Sequence, residues 1–247
     1  MKRILVLGLL AGILPGAAWA ELPGSAITSM KISIYGIYMT EDPTCQTGLI
    51  PTVPLQATAT EEDLSQNPVL GSGPIPAAIQ CVIMVMQDHF TGTVAPGTYT
   101  TTSIDWSGST VPDSNCNSGG TYPQYICQGD TVSWPSAIQA DAAKVGLTLT
   151  TGSCPNPATG SEVIPAYLST YSACTGQQAT DPAACQNNDD NFTPPTAAND
   201  TSHGLKLTEP STAGDFKFVI NPNGAFGATG ASTCGDLNPP QFSFVAK

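Results

Sequence analysis

Arginine is almost missing from this chain. The only one is Arg3, and the 247 residues hold seven basic, 19 acidic and two histidine side chains. Only 11% of residues are charged, against about 25% in ordinary soluble domains. Without clustered cations, neither nucleic acid nor an anionic membrane surface is expected as a partner. Long apolar runs are scarce too. Beyond the first 20 residues none reaches the roughly 18 residues that a spanning helix needs. Several sequence signatures are absent: G-x-S-x-G, H-E-x-x-H and close C-x-x-C pairs. Their absence removes the usual marks of a nucleophile elbow, a zincin and a structural zinc site.

What is present begins with MKRILVLGLLAGILPGAAWA. Lys2 and Arg3 precede a short apolar core, and Ala18-Trp19-Ala20 is a small-x-small cleavage site, so residues 1–20 read as a signal peptide. The expected mature product is a single exported domain, 21–247. With Lys2 and Arg3 removed, five Lys face 19 acidic residues, a net charge of −14. A periplasmic, cell-surface or extracellular location follows.

All eight cysteines lie in the mature part: Cys45, Cys81, Cys116, Cys127, Cys154, Cys174, Cys185 and Cys234. An even number in an exported chain reads as four disulfides. Spacing suggests Cys116 with Cys127 and Cys174 with Cys185. Strand pairing suggests Cys45 with Cys81, leaving Cys154 and Cys234.

The 24 Gly and 22 Pro favour turns over long helices. The most apolar mature stretch is Ile79–Phe90, IQCVIMVMQDHF. Both parities are apolar, Ile79, Cys81, Ile83 and Val85 on one and Val82, Met84 and Met86 on the other, so it belongs at the centre of a sheet covered on both faces. Ile27–Thr40 reads as a first strand whose buried parity changes across Gly36, the mark of a β-bulge. The next stretch reads as loop, with one helical turn capped by Thr60 and carrying Asp63. Thr98–Trp106, Gly146–Thr151, Leu205–Thr208, Asp215–Ile220 and Gln241–Ala246 read as strands. A short helix is expected from Ser133 as cap to Gly146 as stop, with Ile138, Ala142 and Val145 on one stripe. Pro165–Ala173 reads as a further helical turn or two. The expected fold is all-β: an antiparallel β-sandwich with long disulfide-stapled loops and one short helix.

No catalytic or cofactor-binding residue is assigned. Cys81, Met84, Met86 and His89 have soft-metal chemistry, yet a strand places Cys81 on the face opposite both methionines. Asn187, Asp189, Asp190 and Asn191 form an oxygen-rich run suited to calcium, though Phe192 and Ala198 break the EF-hand template. Asp88 and His89 are strand neighbours and point apart; His203 sits in a turn-like NDTSHG. Paired carboxylates for glycoside chemistry depend on a separation only the fold sets. Trp106, Trp134, Tyr122, Tyr125, Tyr167 and Tyr171 are candidates for a sugar-binding face. Asn191 and Asn199 head glycosylation sequons. Two functions fit: a non-catalytic structural or surface protein of filament, matrix or adhesion type, self-assembling or held by a surface partner, or a carbohydrate-binding or carbohydrate-active secreted protein.

Overall fold

A computed structural model describes residues 20–21, 27–63, 66, 68–75, 78–94, 103–104, 110–111, 121–127, 129–157, 159–173, 191–208, 213–221, 226–228, 236–237 and 241–246. The first strands are β1 (Ala20–Glu21), β2 (Ile27–Thr40), β3 (Ile50–Val53), β4 (Thr60–Asp63), β5 (Val69–Ile75) and β6 (Cys81–Val94). There follow β7 (Ser103–Ile104), β8 (Thr110–Val111), β9 (Thr121–Tyr125), β10 (Thr131–Val132), helix α1 (Ser136–Val145) and β11 (Gly152–Ser153). The rest are β12 (Val163–Ser169), β13 (Leu205–Thr208), β14 (Gly214–Asn221), β15 (Phe226–Ala228), β16 (Asp236–Leu237) and β17 (Gln241–Ala246).

One sheet dominates, in the order β3-β2-β6-β12-β13-β17-β14-β5, with β4 also on β2 and β9 also on β6. Its end strands β3 and β5 lie against each other, so the sheet is nearly closed and barrel-like. This corrects the purely antiparallel sandwich. β13 runs parallel to both β12 and β17, which makes the sheet mixed. Parallel neighbours need a crossover of a dozen residues or more, and residues 170–204 between β12 and β13 supply that length.

β6 is central as its two-sided apolar pattern requires. Val82, Ile83, Met84, Val85 and Met86 are all fully buried, each contributing roughly 1.5–3 kcal/mol by leaving water. β2 flanks β6 along one side from Cys81 to Val94. β12 flanks the other side from Cys81 to Gln87, and β9 continues from His89 to Thr93. The bulge is where the parity change put it: Ile34 pairs with Met86 and Gly36 with Val85, two residues opposite one step. Glycine is needed there, because a Cβ would sit 3.0 Å from the Leu55 Cα and 3.2 Å from the Val53 carbonyl oxygen.

Cys45 and Cys81 are bonded. Antiparallel pairing sets Thr40 opposite Cys81, and the turn after β2 folds back on Asp42. Its carboxylate accepts from the backbone and hydroxyl of both Thr44 and Thr47, at 2.7–2.9 Å. The Cys45 amide donates to the Asp42 carbonyl at 3.0 Å. Cys127 bonds to Cys154, not to Cys116 as spacing suggested. Its partner is brought by the β10–β11 ladder, which pairs Thr131 with Ser153, a contact that nearness in sequence cannot reveal. Cys116, Cys174, Cys185 and Cys234 lie outside the described residues.

Other expectations need correction. Thr60–Asp63 is strand β4 rather than a helical turn, pairing with Lys31–Ile34; Asp63 instead accepts from Ser29 and the Met30 amide. Val163–Ser169 is a fully buried strand, not a helix start. Pro165 fits there because β13 covers only Leu168 and Ser169, leaving an unpaired side for a residue without N–H. Helix α1 begins after Pro135, not Ser133, and has no side-chain cap. Ile138 and Ala142 are buried, but Val145 is exposed. Gly146 ends the helix in left-handed conformation, with its amide and that of Leu147 returning to Ala143 and Ala142. Gly146–Thr151 is irregular up to Gly152, its residues anchored by Trp134 Nε1 donating to the Thr150 carbonyl at 2.6 Å. Leu205–Thr208 and Gln241–Ala246 are strands with the expected bounds. Most of Thr98–Trp106 lies outside the described residues.

Candidate functional site

Asp88 is the position where β6 changes partners. Before it β6 pairs with β12; after it, with β9. Its backbone serves both branches: the Asp88 amide donates to the Glu162 carbonyl at 3.0 Å, and the Ile126 amide donates to the Asp88 carbonyl at 2.8 Å. Its side chain is fully buried on the parity of Val82, Met84 and Met86, and no other residue donates to either carboxyl oxygen.

Glu162, buried itself, is the charged neighbour of Asp88, its carbonyl held by the Asp88 amide. Glu162 is well supplied with donors. Its Oε1 accepts from the Thr159 hydroxyl at 2.5 Å and the Thr159 amide at 3.3 Å, and Oε2 accepts from the Ser161 amide at 3.0 Å. Burial opposes its charge, yet these donors outweigh burial and hold Glu162 below the usual carboxylate range. Asp88 goes the other way. Burial first, then the Glu162 charge, push it up to about 7. The two carboxyls are thus pushed apart in acidity, Asp88 holding its proton to higher pH and Glu162 releasing its own readily.

In sequence Asp88 stands out only as a strand neighbour of His89 that points away from it, and Glu162 does not stand out at all. The available signal was the polar turn Thr159-Gly-Ser-Glu162 running straight into a buried strand.

The remaining candidates disperse. Cys81 is in a disulfide, and Met84 and Met86 are buried in the core. Asn187, Asp189 and Asp190 lie outside the described residues, and Asn191 is buried, which also withdraws it as a glycan acceptor; Asn199 is exposed. Among the described residues no group of three or more His, Cys, Asp or Glu is placed to hold a metal. Trp134 and Tyr167 are buried, Tyr167 donating to the Ser133 carbonyl at 2.7 Å, so neither forms a sugar-binding face. Tyr171 is exposed. Trp106 and the side chains of Tyr122 and Tyr125 lie outside the described residues.

An Asp–His pair does exist, three residues apart: His203 Nδ1 lies 2.8 Å from Asp200 Oδ2. Asp200 also accepts from Thr196 and Ser202, backbone and hydroxyl alike, at 2.7–3.0 Å. Burial opposes that charge, but the donors prevail and hold Asp200 far below its usual range. The Ser202 hydroxyl meets the same Nδ1 at 3.1 Å, not the Nε2 from which a general base would act on a nucleophile. The pair organises its own loop.

The two disulfides among the described residues fit an oxidising, exported environment. No helix among the described residues is long and apolar enough to cross a membrane. No family model, curated protein or solved structure matches the chain.

Proposed function

We propose that this chain is an exported, non-catalytic β-protein serving in a surface, filament or matrix role. The observation that carries the reading is how its chemically capable groups are used. Met84, Met86, Trp134, Tyr167, Asp88 and Glu162 are all buried, and Trp134, Tyr167 and the Asp88 backbone tie one segment to another. The acidic, disulfide-stapled composition suits a scaffold outside the cytosol. A contact surface is available at the seam between the end strands, where Ile50 on β3 and Val69 on β5 are exposed. Pro51 and Pro74 on the same strands withhold N–H donors from an incoming strand, so the seam offers side chains more than an open ladder.

The test uses the secreted product. Intact mass should show a start at Glu21 and a gain of one hydrogen per cysteine on reduction. Sedimentation should show self-association that Ile50→Lys/Val69→Lys weakens, and a glycan panel should be blank. Sugar release, or saturable glycan binding lost in Tyr171→Ala, would overturn this reading in favour of a carbohydrate-directed protein.

A further inference from the structure

A fully buried carboxyl group to which no other residue donates, beside a second carboxylate, needs a cation or a proton. Here it stands at a fork, since Asp88 holds β12 through its amide and the end of β9 through its carbonyl. We propose that the Asp88–Glu162 pair is a proton-operated latch on this fork: with one proton between the carboxyls β9 and β12 stay joined to β6, and loss of that proton parts them.

The neighbouring groups favour a proton over a metal ion. Among the described residues no third His, Cys, Asp or Glu joins Asp88 and Glu162 to complete a metal-ligand group. On β2 the residue at the facing register is Ser33, between the Ile32–Phe90 and Ile34–Met86 pairs. The nearest cation on that strand, Lys31, is bonded to Glu61 at 2.6 Å. His89 follows Asp88 on β6 and pairs with Tyr125 on β9. Asp130, in the turn beyond β9, is held through its backbone by Cys127 and Cys154. Glu162 is the charged group that acts on Asp88.

The sign follows from linkage. Asp88 is raised above its unfolded value, so the folded chain keeps a proton that the unfolded chain has released. Its stabilising effect is whole below the unfolded value near 4, declines as pH rises through about 7, and is gone above it.

The test is amide exchange of the full exported chain at pH 5.5 and 8.5, corrected for intrinsic rates. Protection of the Asp88 and Ile126 amides should fall in the wild type, by up to about tenfold per pH unit across the titration. In Asp88→Asn, whose amide can donate to Glu162 permanently, protection should not change with pH. The carboxyl carbon-13 shift of Asp88 in the wild type should titrate near neutrality, and it decides the matter alone if Asp88→Asn does not fold. Equal pH dependence in both proteins, or titration of Asp88 in the ordinary carboxylate range, would overturn the latch. Calcium restoring protection at pH 8.5 would also overturn it, in favour of a cation site.

Discussion

Replacing Gly204 by alanine should be unusually costly, and the structure says by which route. Gly204 has φ +74°, and a Cβ there would lie 2.9 Å from the Tyr167 carbonyl oxygen and 3.2 Å from its carbonyl carbon. The left-handed conformation alone costs an alanine roughly 1–2 kcal/mol. Relief of the contact requires moving backbone that is locked by pairing: Tyr167 opposite Ile83 on β6, and Leu168 beside Leu205 on β13. That overpacking adds about 1–3 kcal/mol. Gly146 is the internal control, with the same φ of +74° and nothing within 4 Å of a Cβ, so Gly146→Ala bears the conformational cost only. Urea unfolding of the oxidised proteins at one pH reads the difference. With a slope of about 2 kcal/mol per M, the Gly204→Ala midpoint should fall about 0.5–1.5 M below that of Gly146→Ala. Equal midpoints would refute the close packing of β13 on β12 that makes the sheet mixed.

The remaining predictions concern the staple and the acid limb. Cys45→Ser/Cys81→Ser opens a loop with a sequence separation of 36 residues and should lose about 4 kcal/mol on the loop-entropy estimate, read as a lower urea midpoint under non-reducing conditions. Asp42 and Asp200 are held below the usual carboxylate range: burial works against each charge, but side-chain and backbone donors prevail. Their contribution is present above the unfolded value near 4 and is lost as pH falls through the depressed folded one. Asp42→Ala should therefore lower the melting temperature at pH 6 and do so much less at pH 2; an equal loss at both would contradict the assignment.

Local pattern made several elements legible. Alternation at Met30, Ile32 and Ile34 followed by Tyr35, Ile37 and Met39 gave β2 and its bulge, and the two-sided apolar run gave β6, because side-chain burial has a period the sequence displays. The Cys45–Cys81 bond followed from pairing those two strands. Strand direction was not legible, since burial of Leu205 and Leu207 on β13 is the same whether β12 runs parallel or antiparallel to it. Pro165–Ala173 reads as a helical turn rather than as part of β12 because an unpaired strand side leaves no mark in sequence. The carboxyl pair was hidden for a similar reason. Asp88 and Glu162 are 74 positions apart, and only the β6–β12 register brings them together. Cys127 with Cys154 depended likewise on the two-residue β10–β11 ladder, too short to show a pattern.

The fold is organised around β6. Val82 lies fully buried between Met39 on β2 and Leu168 on β12, whereas Val245 on β17 is 49% exposed beside Lys217. The direct measurement compares secreted yield and melting temperature for Val82→Asp and Val245→Asp. A buried carboxylate without a partner costs several kcal/mol, comparable with the roughly 5–15 kcal/mol stability of a whole domain. Val82→Asp should abolish folding or lower the melting temperature drastically, with Val245→Asp close to wild type. Similar yields and melting temperatures for the two variants would contradict a fold centred on β6.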